Sequence, residues 1–357
     1  MKVMKNTINE RMKFYNVQGV SFTLINDGKI SFSEELGILE TKTENYVNSN
    51  SIFNACSISK FVTTILVLKL TENGMLDLDE DVNEKLMSWK VPENNFTKNS
   101  KVTLRTLLSH QSGFIDPIGS FGVVDPKYAI PTMLEIVEGK TPYCLESCEV
   151  KYEPGSDFQY SDLGFCVIQL LLEDISGKPF VQLMNELVFE PLLMKNSTLE
   201  SSIPEYRRTH LACGHNKKGE IVDGKYPIYP YPATAGLWTT SQDLAILANE
   251  LLNSINGNSK VGISQGLAVE MITPQGCVKW TGLGVFLDNK GEEFEISSLG
   301  WGVGFQCMMI IYPYLETAAI IMTNTDLGIH QTKGIIGEIF ELFLPRLLAN
   351  RDIHSYN

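Results

Sequence analysis

The stretch SISKFVTTILVLKLTENG, residues 57–74, decides how the rest of the chain is read. It holds no Gly or Pro until Gly74, which stands where a glycine just past a helix end belongs. Apolar residues occupy nearly every side of this helix, so the pattern predicts burial all round and a central place in the fold. At its start, Ser57 and Lys60 are three residues apart and project from nearly the same face. A serine hydroxyl is a weak nucleophile until a neighbour takes its proton, and a lysine one turn away does so if its own charge is disfavoured. The N–H groups of a helix's first turn also favour a developing oxyanion. An ordinary helix start has the same residues, so the pair alone leaves both readings open.

Upstream, GVSFTLI (19–25) alternates apolar Val20, Phe22 and Leu24 with small or polar neighbours. Asn26-Asp27-Gly28 supplies a turn and KISFSEEL returns, which predicts a β-hairpin. Downstream, residues 75 to about 230 read as helices joined by Pro- and Gly-containing loops: VTLRTLLSH (102–110), SDLGFCVIQLLLEDISG (161–177) and PFVQLMNELVFEPL (179–192). A helix begins near Thr240, with Asp243 three residues on to complete a capping box. Strands return as GLGVFLD (282–288), EEFEISS (292–298), FQCMMIIY (305–312) and TAAIIMTN (317–324), with a turn at Asn289-Lys290-Gly291. An amphipathic helix, GIIGEIFELFLPRLL, closes the chain. The expectation is an α+β fold: an antiparallel five-stranded sheet flanked by helices and interrupted by a mostly helical insertion.

Composition narrows the classes of function. The chain has 357 residues, is 43% apolar and 20% charged, and carries a net charge of −13. A phosphate-binding surface needs clustered Lys and Arg, and no cluster is visible, so nucleic acid and anionic membranes are poor partners. No run of about 18 apolar residues spans a membrane, and the first 20 residues lack a signal peptide's apolar core. Seven cysteines is an odd number and none forms a Cys-x-x-Cys pair; reduced thiols and a cytoplasmic location are expected. The five histidines show no metal-ligand spacing, and neither a metal nor another cofactor is expected. Oligomeric state is not legible.

A second candidate region is YEPGSDFQYSDLGF, residues 152–165. Tyr160 at a loop-to-helix junction would serve as a proton relay near a lysine. A core tyrosine followed by a Ser or Asp N-cap fits the same residues.

Taken together the segments resemble the serine β-lactamase and penicillin-binding-protein superfamily, in its class C β-lactamase, esterase and D-aminopeptidase branch. FNACSISKF resembles the first family motif, LRTLLSHQSGF (104–114) the Leu-Leu-x-His-x-Ser-Gly segment, and YEPGSDFQYSDLGF the Tyr-x-Asn motif in its Tyr-x-Asp variant. PATAGLWTTSQDLA (232–245) and IIMTNTD (320–326) match in family order, and the resemblance covers almost the whole chain. It implies a β-lactamase/transpeptidase-like fold forming a single catalytic unit over 1–357. Residues 1–74 and 231–357 would form the sheet subdomain and 75–230 the helical one, with the site in the cleft between them. It also implies Ser57 as acylated nucleophile, Lys60 as its proton partner, and Tyr160 as the base. The oxyanion N–H groups would be those of Ser57 and Trp301. The family's third motif, Lys-Thr-Gly or His-x-Gly, aligns with Ser298-Leu299-Gly300-Trp301, so Ser298 stands where a cation is expected.

Two departures shape the functional expectation. Asp162 replaces the commoner asparagine, and a carboxylate there holds Lys60 protonated, which shifts the base role to Tyr160. Ser298 removes an anchor for a substrate carboxylate, which favours an esterase or amidase over a β-lactamase or carboxypeptidase. The rival class is a catalytically weak domain that binds a peptide or β-lactam-like ligand as a sensor. Either way the partner is a small molecule or short peptide. Three features have paired readings. His110 reads as a structural loop hydrogen-bonder rather than a base. Cys144 and Cys148 read as unlinked thiols near the surface. KYPIYPYPATAGLW (225–238), ending in Trp238, reads either as an aromatic wall over the cleft with Phe114, Tyr143 and Trp301, or as a proline-rich connection on the core.

Overall fold

The computed structural model describes residues 2–202, 208–289 and 293–348. Its main sheet is antiparallel and has six strands, in the order β2-β1-β8-β7-β6-β5. The hairpin forms as the alternation predicts: β1 (Gly19–Asn26) and β2 (Lys29–Gly37) meet at Asp27 and Gly28, both at positive φ. Only a glycine or a short Asn/Asp side chain adopts that two-residue turn readily. The later strands are β5 (Phe286–Asp288), β6 (Glu295–Gly302), β7 (Phe305–Tyr312) and β8 (Thr317–Thr323). The expected count of five is corrected to six. The sixth is the edge strand β5, three residues within the expected stretch GLGVFLD (282–288), which pairs with β6 and so joins the same sheet. Lys290 and Gly291 of the turn expected before β6 lie outside the described residues. A separate two-stranded sheet joins β3 (Phe53–Asn54) to β4 (Trp238–Thr239).

The sheet separates two apolar cores. On one face Val20, Phe22 and Leu24 of β1 pack with Ile335, Ile336 and Ile339 of the C-terminal helix, Ile335–Leu348. An N-terminal helix, Lys2–Tyr15, covers the same face through Ile8 and Met12. Its polar sequence offers little periodicity, and the sequence reading placed no helix there. It is held by tertiary contacts: Arg11 donates two hydrogen bonds to Glu338, at 2.6 and 2.7 Å, and the Tyr15 hydroxyl donates a third at 2.8 Å.

The other face receives the helix Ile58–Glu72, in which all but Lys69, Thr71 and Glu72 are buried. Gly74 follows at φ 71°, as a helix end requires. The helix Asp162–Ser176 is bounded as its sequence predicts, by Ser161 accepting from the Gly164 N–H and by Gly177 in the left-handed conformation. Ser241–Ile255 starts on the Thr240 hydroxyl, which accepts from the Asp243 N–H. The Asp243 carboxylate accepts from Asn196 N–H and the Ser197 hydroxyl, so it ties a distant loop to this helix start.

Strand β6 passes against the segment that leads into Ile58–Glu72. A Cβ on Gly300 would overlap the Ala55 carbonyl oxygen and Cys307 Sγ, and one on Gly302 would press on Cys56 Sγ and the Tyr229 hydroxyl. Gly300 needs glycine because backbone meets backbone there, and Gly302 because two side chains close over it. Gly300→Ala is therefore expected to cost about 1–3 kcal/mol of stability through overpacking. It should lower the urea midpoint and push β6 away from Ser57; an unchanged midpoint would contradict this contact.

Candidate active site

Ser57 is presented by a short constrained segment. Ala55 N–H donates to Leu237 O at 2.8 Å, and Cys56 N–H donates to Asn54 Oδ1 at 2.8 Å. Cys56 adopts φ 48°, a left-handed conformation that costs a non-glycine residue roughly 1–2 kcal/mol. The turn after it is closed by N–H groups of Ile58, Ser59 and Lys60, while the Ser59 hydroxyl donates to Cys56 O at 2.6 Å. Ser57 occupies the helix N-cap, yet its side chain makes no capping bond. Its hydroxyl is left for chemistry. Cys56 itself is buried packing, and burial pushes its thiol pKa upward.

Lys60 is 3% exposed and its ammonium meets three acceptors: Asp162 Oδ1 at 2.7 Å, Thr234 O at 3.1 Å and Ser57 Oγ at 3.2 Å. The contacts to Thr234 O and Ser57 Oγ are hydrogen bonds, and that to Asp162 is an ion pair. Burial alone would favour the neutral amine, but the charge of Asp162, with support from Tyr160, outweighs it and holds Lys60 above the ordinary lysine range. The Lys60 ammonium also sits 4.8 Å from the Tyr160 ring centroid and 5.6 Å from that of Phe165.

Tyr160 is 40% exposed, and its hydroxyl faces Ser57 and Lys60. Burial raises its pKa and Lys60 opposes that rise, leaving the phenol above its usual range. The ring stacks on His110 at 4.3 Å between centroids. His110 Nδ1 accepts from the Ser161 N–H at 3.1 Å, and the His110 carbonyl accepts from Gln159 N–H at 2.9 Å. His110 therefore holds the Tyr160 loop, in agreement with its reading as a structural hydrogen-bonder. Gly113 and Gln111 continue this pairing by accepting from Lys151 and Gly155 N–H. A Cβ on Gly113 would overlap the Tyr152 carbonyl oxygen, which gives the Ser-Gly of this segment its physical meaning.

Asp116 belongs to the same construction and was not foreseen. It is half-buried at the start of helix Asp162–Ser176, where Oδ1 accepts from the Ser161 hydroxyl at 2.8 Å and Leu163 N–H at 3.1 Å. Oδ2 accepts from Asp162 N–H at 2.7 Å. Burial and the neighbouring Asp162 charge raise its pKa, while these three hydrogen bonds counter the rise. The sequence announces a helix start with unpaired N–H groups, but not which distant carboxylate answers them.

The floor under Lys60 comes from the turn Pro232–Ala235, where the Thr63 hydroxyl donates to Ala233 O at 2.9 Å and the Thr234 hydroxyl to Asp162 O at 3.2 Å. The far wall is β6 and the loop before β5: Ser298, Leu299, Thr281, Val285 and Phe286 line a narrow cleft with Ser57, Lys60, His110 and Tyr160. Its volume is about 20 Å³, room for about one water. Ser298 is buried at 5% exposure, and the Trp301 indole donates to Asp326 Oδ1 at 2.8 Å. Of the two readings of Phe114, Tyr143 and Trp238, aromatic wall or core, the structure has the second: all three are buried. Trp238 is 1% exposed, stacked edge-on to Phe305, and Phe114 is fully buried. The proline-rich stretch packs on the core because Tyr231 donates to Gly122 O and Tyr229 accepts from Val303 N–H. Cys144 and Cys148 are free thiols, buried rather than near the surface. Among the described residues no group of three or more His, Cys, Asp or Glu is placed to hold a metal ion, and no helix is long and apolar enough to cross a membrane.

Comparison with known proteins bears on this arrangement. The family model described as Beta-lactamase matches residues 4–339. Protein flp of Staphylococcus aureus (strain MW2) is 22% identical over 233 residues, 64% of this chain and 44% of that protein, so the chain spans less than half of flp. A putative D-alanyl-D-alanine carboxypeptidase of Escherichia coli O157:H7 is 22% identical, covering 93% of this chain and 78% of its own length. Among solved structures, an octameric penicillin-binding protein homologue from Pyrococcus abyssi superposes with a TM-score of 0.77 at 23% identity, covering 96% of this chain and 77% of that one. The penicillin binding protein from Bacillus halodurans gives 0.74 at 19% identity, covering 94% and 99%. At these identities the structural likeness establishes the β-lactamase/transpeptidase-like fold.

Two outcomes are expected from these contacts. Asp116→Ala leaves three donors without their acceptor and should cost about 1–3 kcal/mol of stability by urea denaturation, with a fall in any Ser57-dependent turnover. Unaltered stability would remove Asp116 from the support of this helix. His110 has its pKa lowered to about 3, by burial first and by Lys60 second. Between its ordinary value and that one, the unfolded chain binds a proton the folded protein refuses. The stabilisation is complete above about pH 6.5 and is lost as pH falls towards 3. His110→Gln should flatten that part of the stability–pH curve, and equal slopes for the two proteins would contradict the assignment.

Proposed function

The chain belongs to the beta-lactamase family, a serine hydrolase-like family, and on that premise we propose that it hydrolyses an uncharged ester or amide through an acyl-enzyme on Ser57. The observation that carries this reading is the convergence of Ser57 Oγ, the Lys60 ammonium and the Tyr160 phenol in one cleft, with Lys60 locked to Asp162. Lys60 has no free position to accept a proton while it remains an ammonium. Tyr160 is the group left for that task.

In acylation the Ser57 oxygen forms a bond to the substrate carbonyl carbon and its proton passes to the Tyr160 phenolate. The oxyanion is held by the N–H groups of Ser57 and Trp301, whose strand approaches this segment at Gly300. The bond to the departing oxygen or nitrogen then breaks, and Tyr160 returns its proton to that atom. Water repeats the sequence: its proton goes to Tyr160, its oxygen bonds to the acyl carbon, and Ser57 leaves reprotonated. The cationic Lys60 stabilises the phenolate throughout. Ser298 in place of a cation, and a cleft whose one lysine is already neutralised by Asp162, support substrates without a carboxylate beside the scissile bond. The dyad of Ser298 and Gly300 on β6 contributes shape and close backbone approach instead of charge.

Incubation with a fluorophosphonate and intact-mass measurement tests the nucleophile: one adduct on the native protein and none on Ser57→Ala is expected, and no adduct at any pH would sink the proposal. The proton path has its own test. Because Tyr160 sits above its usual pKa, kcat/KM should climb through the alkaline range rather than level off near neutrality. Asp162 raises both Lys60 and Tyr160, so Asp162→Asn should move that climb to lower pH. Coincident profiles would remove Asp162 from the mechanism.

A further inference from the structure

Behind Tyr160 runs a continuous aromatic surface that the chemistry above does not use. His110, stacked on Tyr160, meets Phe158 edge-on at 5.9 Å between centroids. Phe158 meets Trp280 edge-on at 4.3 Å, and Trp280 lies 6.2 Å from Phe286 with the rings tilted by 31°. Phe286 itself lines the cleft with Tyr160, Ser298 and Val285. The surface is accessible: Trp280 is 45% exposed, and Phe158 and Phe286 are half-buried. The cleft proper holds only about 20 Å³, so most of a substrate must rest outside it, against whatever borders the mouth.

We infer that Phe158, Trp280 and Phe286 form a binding surface for the departing portion of the substrate, and that this portion is an uncharged aryl or alkyl alcohol or amine. This rests on the acyl-enzyme reading. The direction follows from proton transfer: the atom that receives the Tyr160 proton must lie beside the phenol. The group attached to that atom therefore extends along the wall that continues from Tyr160. The acyl group leaves the carbonyl carbon on the other side. The chemistry of the wall follows from its faces. Aromatic rings in offset and edge-on contact attract an apolar or aromatic group, and Phe286, Val285 and Leu299 keep the adjoining cleft apolar. Lys60, the charged group lining the cleft, is neutralised by Asp162, so a carboxylate on the departing group finds no partner there.

The test compares 3-phenylpropyl acetate with propyl acetate, whose alcohols have nearly equal acidity and so equal intrinsic reactivity. The native protein should favour the phenyl ester by about tenfold in kcat/KM, and Trp280→Ala should reduce that preference to about twofold, while Trp280→Phe restores most of it. Propyl 4-phenylbutanoate, which carries its ring on the acyl side, should respond little to Trp280→Ala. A native preference below twofold, or one that survives in Trp280→Ala with its melting temperature unchanged, overturns the inference. A binding measurement separates this from failure of the acyl-enzyme reading. Titration of 3-phenylpropanol into Ser57→Ala, followed by calorimetry, should show an affinity at least fivefold above that of the Ser57→Ala/Trp280→Ala protein. Equal affinities overturn the surface whether or not Ser57 is acylated.

Discussion

The ion pair between buried Lys60 and half-buried Asp162 is the constraint around which this site is arranged. Taking the Lys60 ammonium out of water costs several kcal/mol, and Coulomb attraction repays that only where its remaining donors are also met. Here they are met by Ser57 Oγ and the Thr234 carbonyl. Each acceptor comes from a different part of the chain. The ammonium thus fixes the mutual positions of the helix that follows Ser57, the helix Asp162–Ser176 and the turn Pro232–Ala235. Removing one partner leaves a charge stranded, so the pair stabilises geometry more than it stabilises the fold.

In the proposed mechanism the same pair distributes the chemical roles. A lysine held as an ammonium cannot serve as a base, but it lowers the cost of negative charge on whatever stands beside it. Tyr160 stands there, kept in place by His110 beneath its ring and by Asp116 at the helix start that follows. The sheet contributes the opposite wall. Gly300 lets β6 come against the Ala55 backbone and Gly302 against the Cys56 side chain, so the wall and Ser57 are set by one close contact. Strain at Cys56 is the local cost of turning the chain sharply enough to offer Ser57 to that cleft.

Much of this was legible in the sequence where a short-range rule applied. The hairpin turn at Asp27-Gly28, the fully buried helix after Ser57, and the Ser161 and Gly177 caps each follow from residues within a few positions of one another. The meeting of Ser57, Lys60 and Tyr160 was expected from resemblance, and so was the consequence of Asp162 for Lys60. What was not legible depends on distant partners. The N-terminal helix is docked by Glu338, more than three hundred residues away in sequence. Asp116 answers N–H groups that the sequence shows only as a need. Phe114 and Trp238 have the composition of a cleft wall but the burial of a core. Tyr160 and Phe286 are the aromatic residues that line the cleft instead, with Phe158 and Trp280 packed against His110 and Phe286.

The protonation state of Lys60 in the resting protein tests the account most directly. Protein labelled with 15N in its lysine side chains can be titrated by NMR, with Lys60→Arg identifying the resonance. The account predicts that the Lys60 nitrogen keeps the shift of an ammonium beyond pH 10.5, after the exposed lysines have begun to titrate, and that Asp162→Asn brings it down. A Lys60 resonance that deprotonates below the exposed lysines would contradict the account, because lysine and not Tyr160 would then be the base beside Ser57.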